Sequence, residues 1–312
     1  MNHSLPLVSV VMATYNRATS VERAIDSVLK QTYKNIELII IDDGSTDNTR
    51  EILRKYEDTR IRIYNHESNK GVTAAKNSGL KQILGEWFTI FDSDDEMASD
   101  AIETLIQIPL SFDQNITAVT CNCFDTTTKN FSGRGLHENQ YINVKTIMAT
   151  CQGEFWGITK TSLLQNDLFN EKLKGYESVL WYKIDDRANR YYVHKALRIY
   201  HTEGDDRISK SNYNFDGEVK HYENLIDENF YLSIIRKHRL KEYNKICKKG
   251  IVIMRVSGNK DIALKYYELS KLTGRNIVND LIYRYKSGSL LFKHFFVFKN
   301  WLKPFVYSFL KK

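Results

Sequence analysis

Apolar and polar positions follow two alternating rhythms over the first hundred residues. Residues 7–13 (LVSVVMA), 36–42 (IELIIID), 60–65 (RIRIYN) and 86–91 (EWFTIF) are short apolar-rich runs and read as strands. Between the first two, Val21, Ala24, Ile25, Val28 and Leu29 recur at helical spacing within 20–31. Asp43-Gly44-Ser45-Thr46-Asp47 reads as a turn with a cap, opening a helix that runs through Tyr56. The stretch 71–85 reads as a helix closed by Gly85. Strand and helix in strict alternation predict a parallel sheet covered by helices on both faces.

From about residue 98 the rhythm loosens. A capped helix over ASDAIETLIQI precedes strands at 115–126 and 154–159, short helices in TSLLQNDLF and ESVLWYKI, and a strand-like run at 190–202. Residues 127–150 read as a polar loop leading to a short helix. After Asn212 the pattern is helical and basic to the end, with no Gly/Pro/Ser linker and no internal repeat.

Polar signals fall where ligands bind in such a sheet, outside the carboxyl ends of the strands. Tyr15-Asn16-Arg17 follow the first strand, Asp42-Asp43-Gly44-Ser45 the second, Asn69-Lys70-Gly71 the third and Asp92-Ser93-Asp94-Asp95 the fourth. The last is the strongest signal: TIFDSDDEM places four carboxylates in five positions at the end of an apolar strand. They repel one another, and each is costly if buried without a partner. A solvated turn, a helix N-terminus or a metal site would each account for them. A solvated turn accounts less well for polar groups at four strand ends on one edge.

Composition changes this picture in two places. The 312 residues carry a net charge of +7, which hides a split. From Arg236 onward there are 19 Lys and Arg against 4 Asp and Glu, while the preceding part has 26 against 34. A basic tail on an acidic body suits anionic lipid, nucleic acid or an acidic partner. The four cysteines, Cys121, Cys123, Cys151 and Cys247, form no paired framework and read as free thiols in a reducing compartment. Cys121 and Cys123 read as small buried strand residues rather than zinc ligands. The N-terminal stretch lacks the charged region of a signal peptide, and no apolar run reaches the ~18 residues of a membrane span.

In order along the chain, SVVMATYNR, QTYKNIELIIIDDGSTDNT, NKGVTAAKNSGL and GEWFTIFDSDD resemble the inverting glycosyltransferases of family 2, which have the GT-A fold. The resemblance covers about 6–100, weakens over about 150–210 and is lost after about 215. It implies an α/β, Rossmann-like, mostly parallel sheet with helices on both faces, followed by a helical C-terminal extension. It divides the chain into a catalytic domain, 1–212, and a basic, aromatic-rich helical region, 213–312. Within the first, 6–100 is the nucleotide-sugar half and 101–212 the acceptor half. The implied activity is metal-dependent transfer of a sugar from a nucleotide sugar, a UDP-sugar above all, to a saccharide, glycolipid or glycan in surface polysaccharide or glycoconjugate synthesis.

The resemblance also assigns residues. Asp94 of the Asp-x-Asp motif holds Mn²⁺ or Mg²⁺ on the diphosphate, and a hard cation with oxygen ligands neutralises the charge of the leaving nucleotide. Asp92 lies near the ribose and a metal-bound water, Ser93 joins it in the nucleotide-sugar-binding set, and Asp95 caps the next helix. Asp43 accepts from the N–H of a uracil-type base, with Asp42 structural. Tyr15 flanks the base, Ala13 and Thr14 offer backbone contacts, and Asn16 belongs to the same nucleotide-sugar-binding set. Lys76 stands where arginine is usual, and Ala13 where proline is usual; Lys76 keeps the charge but not the bidentate fork. Glu177, in GYESVLWYKI, matches the family's Glu-Asp pair without its aspartate and is the candidate base. Asp185 or Asp186 is the alternative base. His201 matches a histidine that can complete the metal–diphosphate site, or is a packed structural histidine. Arg207 faces the diphosphate or pairs with Asp205 or Asp206.

No Gln-x-x-Arg-Trp motif of processive synthases is present, which favours single addition. In the last stretch Leu291, Phe295, Phe298, Leu302, Phe305 and Phe309 share a helical face interrupted by Pro304. With its lysines, 290–312 suits a peripheral contact with the cytoplasmic face of a membrane, or packing on protein, including a second subunit. No nucleic-acid motif accompanies the charge. The rival readings are a non-catalytic descendant that binds nucleotide sugar, and a sugar nucleotidyltransferase. The second wants a Gly-rich signature after the first strand, where ATYNR stands.

Overall fold

The computed structural model describes residues 5–173, 175–202, 214–274 and 283. The chain forms two compact units, 1–211 and 212–312. Arg207 and its acidic neighbours, and the aromatic stretch 290–312, lie outside the described residues.

Unit one is built on a ten-stranded sheet. Its first half runs β1 (Val8–Thr14), α1 (Val21–Leu29), β2 (Ile36–Asp42), α2 (Thr49–Leu53), β3 (Ile61–Asn65), α3 (Val72–Leu80) and β4 (Trp87–Ile90). These four strands are parallel, in spatial order β3-β2-β1-β4. Both faces are covered, which is why β2 is buried at all seven positions. On one face Val8, Val10, Met12, Leu38 and Ile40 meet α1 and α2. On the other, Val11, Ile39 and Ile41 meet Ala75 of α3. Gly79 allows α3 to lie this close, because an added Cβ would collide with the Val11 side chain.

The second half extends the same sheet. The chain passes through β5 (Glu96–Met97), α4 (Ala101–Gln107), β6 (Ala118–Asp125), β7 (Asn130–Phe131), β8 (Gln140–Ile142), α5 (Val144–Thr150), β9 (Phe155–Lys160), α6 (Ser178–Arg187) and β10 (Arg190–Tyr200). A π-helical turn, Ile108–Phe112, extends α4, and a 3₁₀ turn, Thr161–Leu164, follows β9. β9 inserts antiparallel between β4 and β6, so β6 runs parallel to β4 and its carboxyl end reaches the same sheet edge. β10 pairs parallel with β6 and antiparallel with β5. The expected polar loop over 127–150 contains two short strands before its helix. Cys121 and Cys123 are buried free thiols on β6.

Unit two holds α7 (Phe215–Leu225), α8 (Asn229–His238), α9 (Leu240–Ser257) and α10 (Lys260–Lys271). Asn214 and Asn259 cap α7 and α10 with their side chains. α10 packs on α9 where Gly250 leaves room for the Tyr266 ring, and the Tyr266 hydroxyl donates to Tyr222 O at 2.7 Å. No described helix is long and apolar enough to cross a membrane.

Candidate active site

The carboxyl ends of β1 and β2 are sewn together by backbone and side chain. Asp43 N–H donates to Thr14 O at 2.8 Å. Asn16 takes a left-handed backbone (φ +51°), which asparagine tolerates better than most residues. Its N–H donates to Ser45 Oγ at 3.0 Å, and its Oδ1 accepts from Thr46 N–H at 2.8 Å. Ala13 is half-buried against α3, and Tyr15 is 39% exposed at the rim. Thr14 Oγ1 is buried without a hydrogen-bond partner. Buried hydroxyls are normally paired, and water or a polar ligand would pair this one.

Asp42 and Asp43 are both buried and both build the turn. Asp42 accepts from Arg50 Nε at 2.6 Å and from Ser45 N–H at 3.3 Å. Asp43 Oδ1 is bonded to His66 Nδ1 at 2.7 Å and accepts from Lys70 N–H at 2.9 Å. Asp43 Oδ2 accepts from Gly71 N–H alone, at 2.7 Å. A carboxylate oxygen accepts more than one hydrogen bond, so Oδ2 keeps capacity for a base N–H.

The turn after β4 is organised around Arg198 of β10, which is 5% exposed. Its Nη2 donates to Asp92 at 2.6 Å and its Nε to Asp95 at 2.5 Å. Its guanidinium lies over the rings of Phe91 and Tyr200. Lys76 of α3 sits 3.3 Å from Asp92 on the other side. The Lys76 charge first, then Arg198, holds the half-buried Asp92 carboxyl far below the usual range against the cost of desolvation. Asp95 is fully buried; burial pushes it up to about 6 against the pull of Arg198 and the His201 N–H. Asp95 is therefore a structural anchor to β10. Ser93 is 5% exposed, and its carbonyl accepts from Ser20 Oγ at 3.1 Å, which ties the turn to α1.

Asp94 differs from Asp92 in its partners rather than its exposure. Their side chains are 43% and 40% exposed, but the ion pair of Asp94 with Arg17 is long, 3.7 Å. Burial and the neighbouring Asp92 charge push its carboxyl upward, outweighing Arg17. Negative charge here is incompletely neutralised, and a divalent cation would relieve it. Among the described residues no three His, Cys, Asp or Glu side chains converge as a metal cage. A cation held by one carboxylate, with phosphate oxygens and water supplying the rest, needs no such cage. The donor set fits a hard cation on that footing.

His201 Nε2 is bonded to Glu96 Oε1 at 2.8 Å, so its imidazole is occupied by Glu96 rather than by Asp94. Glu96 also pairs with Arg23 at 3.4 Å. Glu177 is half-buried at the start of α6, and its carboxylate makes no ion pair or hydrogen bond with a described residue. The alternative base Asp185 is removed by the structure: it is 8% exposed and locked to Arg190 at 2.7 Å. Asp186 is exposed at the other end of α6, about 13 Å along the helix from Glu177. Asn77 of α3 ties this half to the donor half, through Phe169 O and Glu171 Oε1, both at 2.9 Å.

Arg198, Arg23 and His66 were not singled out from the sequence, and Arg17 and Glu96 entered it only as members of polar runs at strand ends. Only Arg198 left a signal: a charge flanked by Leu197 and Ile199 in an apolar strand implies a buried partner.

A doubly covered sheet whose parallel strand ends gather an unpaired hydroxyl, a buried aspartate pair and an acidic turn is an α/β architecture of the GT-A type. Residues 9–171 match Glycosyl transferase family 2, and the chain belongs to that family. It is a glycosyltransferase of the hexosyltransferase type. It is 34% identical over 256 residues to the GalNAc(5)-diNAcBac-PP-undecaprenol beta-1,3-glucosyltransferase of Campylobacter jejuni, covering 78% of this chain and 80% of that one. In fold it is similar to S. aureus TarS 1–349 in complex with UDP-GlcNAc, with a TM-score of 0.62 at 19% identity over 88% of this chain and 78% of that one. It is also similar to the mannosyltransferase PcManGT from Pyrobaculum calidifontis in complex with GDP-Man and Mn²⁺. There the TM-score is 0.51 at 16% identity, over 95% of this chain and 85% of that one.

Proposed function

We propose that this protein transfers one hexose from a UDP-sugar, with inversion, to a saccharide carried on a lipid diphosphate. The observation that carries the donor half is the acidic turn, where two carboxylates are consumed by Arg198 and the third, Asp94, is left open to ligand. The acceptor half is supported by the C. jejuni relative, whose name specifies a diphosphoundecaprenol-linked acceptor.

Asp43 Oδ2 accepts the uracil N–H, Thr14 Oγ1 pairs with the nucleoside, and Tyr15 covers the base. Asp94 would hold Mg²⁺ or Mn²⁺, which when bound neutralises charge on the departing diphosphate. Lys76 supplies a further positive charge to that diphosphate. Asp92, kept ionised by Lys76 and Arg198, accepts from the ribose or from water. Glu177 takes the proton of the attacking acceptor hydroxyl, because a single displacement requires a base on the acceptor side. His201 reaches the cation only by releasing Glu96. Work on the cytoplasmic face of a membrane would bring the lipid-borne acceptor to this edge.

The test is transfer from a radiolabelled UDP-sugar panel to a short-prenyl diphosphate-linked saccharide. E177Q retains UDP binding and loses transfer; transfer undiminished in E177Q removes Glu177 as the base.

A further inference from the structure

The stretch 127–150, opaque in the sequence, forms one wall of a cleft of about 540 Å³ at the carboxyl end of β6. Lys129, Arg134, His137 and His194 line it together with the rings of Phe124 and Phe131. No carboxylate lines it. Lys129 and Arg134 are exposed, and neither side chain pairs with a described residue. Two permanent cations facing one concavity without counter-charge favour an anion.

The cleft is a built feature. Asn122 is fully buried, and its amide grips the Gly133 backbone twice, accepting from N–H at 2.8 Å and donating to O at 2.9 Å. Ser132 N–H donates to Cys123 O at 2.8 Å, and Arg134 bridges Gln152 through its backbone. Gly133 itself must be small, since a Cβ would come within 2.6 Å of the Phe155 ring.

The same network positions a histidine. Asn122 Nδ2 donates to the Tyr192 hydroxyl at 3.3 Å, and that hydroxyl is bonded to His194 Nδ1 at 3.0 Å. His194 Nε2 has no partner among the described residues. An edge contact with Phe131 fixes the ring from the side.

The cleft and the acidic turn share one strand pair, β6 and β10, from opposite faces. Phe124 pairs with Ile199, and the preceding residue Cys123 pairs with Arg198, which holds the acidic turn. With the strand period of two, Phe124 shares a sheet face with Asn122 and Thr120. Thr120 Oγ1 accepts from Arg190, the partner of Asp185 in α6, so this is the face that carries α6.

We propose that this cleft binds the diphosphate end of the acceptor, with the adjoining sugar against Phe124 and Phe131. Arg134 provides the planar fork suited to phosphate, Lys129 a mobile charge, and His194 an unpaired ring nitrogen at the wall. The inference rests on the lipid-diphosphate acceptor reading above and names the part of the protein that recognises it.

The test titrates farnesyl diphosphate into the full chain by calorimetry, with UDP and Mg²⁺ present at saturation. The expected result is binding that weakens about tenfold or more in K129A/R134A, as loss of charge-assisted contacts requires. K129R/R134K, which keeps both charges but moves the fork, loses less affinity than K129A/R134A, and farnesol does not compete. Affinity unchanged in K129A/R134A overturns the proposal. Glucose 1-phosphate binding as tightly as farnesyl diphosphate also overturns it, since a soluble sugar phosphate would then be the better ligand. A parallel UDP titration separates the two ideas. UDP binding equal in both proteins places the loss in the cleft. Absence of UDP binding in the wild type sinks the transferase reading while the farnesyl diphosphate comparison still decides the cleft.

Discussion

At the end of β2, Asp42 and Asp43 are buried and every carboxylate oxygen already has a partner within the fold. At the end of β4, Asp95 is equally buried and Asp92 is held by two cations, yet Asp94 has one long contact with Arg17 and is 43% exposed. The residue type is the same and both turns close parallel strands on one edge. The difference lies in what faces them. β2 ends opposite its own loop and the residues that follow β3, which supply Arg50, His66 and backbone N–H groups. β4 ends opposite β10, which supplies one guanidinium for two carboxylates and leaves the third over. Acidic residues at a strand end therefore serve the turn, a ligand or, as proposed for Asp43, both, according to the local count of donors.

The largest effect should come from removing the shared guanidinium. R198M leaves Asp95 buried without its cation and should cost about 3–5 kcal/mol in urea unfolding. D95N in the same chain should recover part of that loss; no recovery would break the view that Asp95 is the structural member of the turn. D94N should do the reverse, leaving the urea midpoint unchanged while transfer falls about 10²–10³-fold, as for loss of a charge-stabilising group. A D94N chain that melts early would make Asp94 one more turn residue. D43A should cost roughly 1–3 kcal/mol, because the Lys70 and Gly71 N–H groups lose a charged acceptor. It should also weaken UDP binding, which no purely structural aspartate would do without a matching loss of fold.

The smallest effect sharpens the contrast with an ordinary surface pair. Asp58 bonds Arg60, which holds its carboxyl down at about 2. A depressed folded-state value stabilises above the unfolded carboxylate range and loses that contribution as pH falls through about 2. The pair is solvent-screened, so D58N should cost less than about 1 kcal/mol at pH 7, with the gap closing below pH 2 in acid melts.

Much of the donor half was legible because its signals are local. The β2 run 36–42 coincides with the observed strand, and the turn after it carries its own capping residues. Helix ends were less so. The helix expected through Tyr56 stops at Leu53, and that expected to Gly85 stops at Leu80. In both places the chain must turn back into the sheet. The acceptor half hid its order because β9 enters antiparallel between strands far apart in sequence, and no local pattern records that. β7 and β8 are too short and polar to show alternation. Arg198 meets Asp92 and Asp95 across more than a hundred residues, so the neutralisation of the acidic turn appears only once the chain is folded. His201 could be placed beside the turn, but its pairing with Glu96 could not.

The most direct measurement is the thermal midpoint of the wild type and of D94N with UDP, each with and without Mn²⁺. A ligand that binds only the folded state raises the midpoint by mass action. The expected result is a UDP shift in the wild type that requires Mn²⁺ and is absent in D94N. A UDP shift of equal size without Mn²⁺, or one retained in D94N, would contradict the assignment of Asp94 as the residue that holds the cation on the diphosphate.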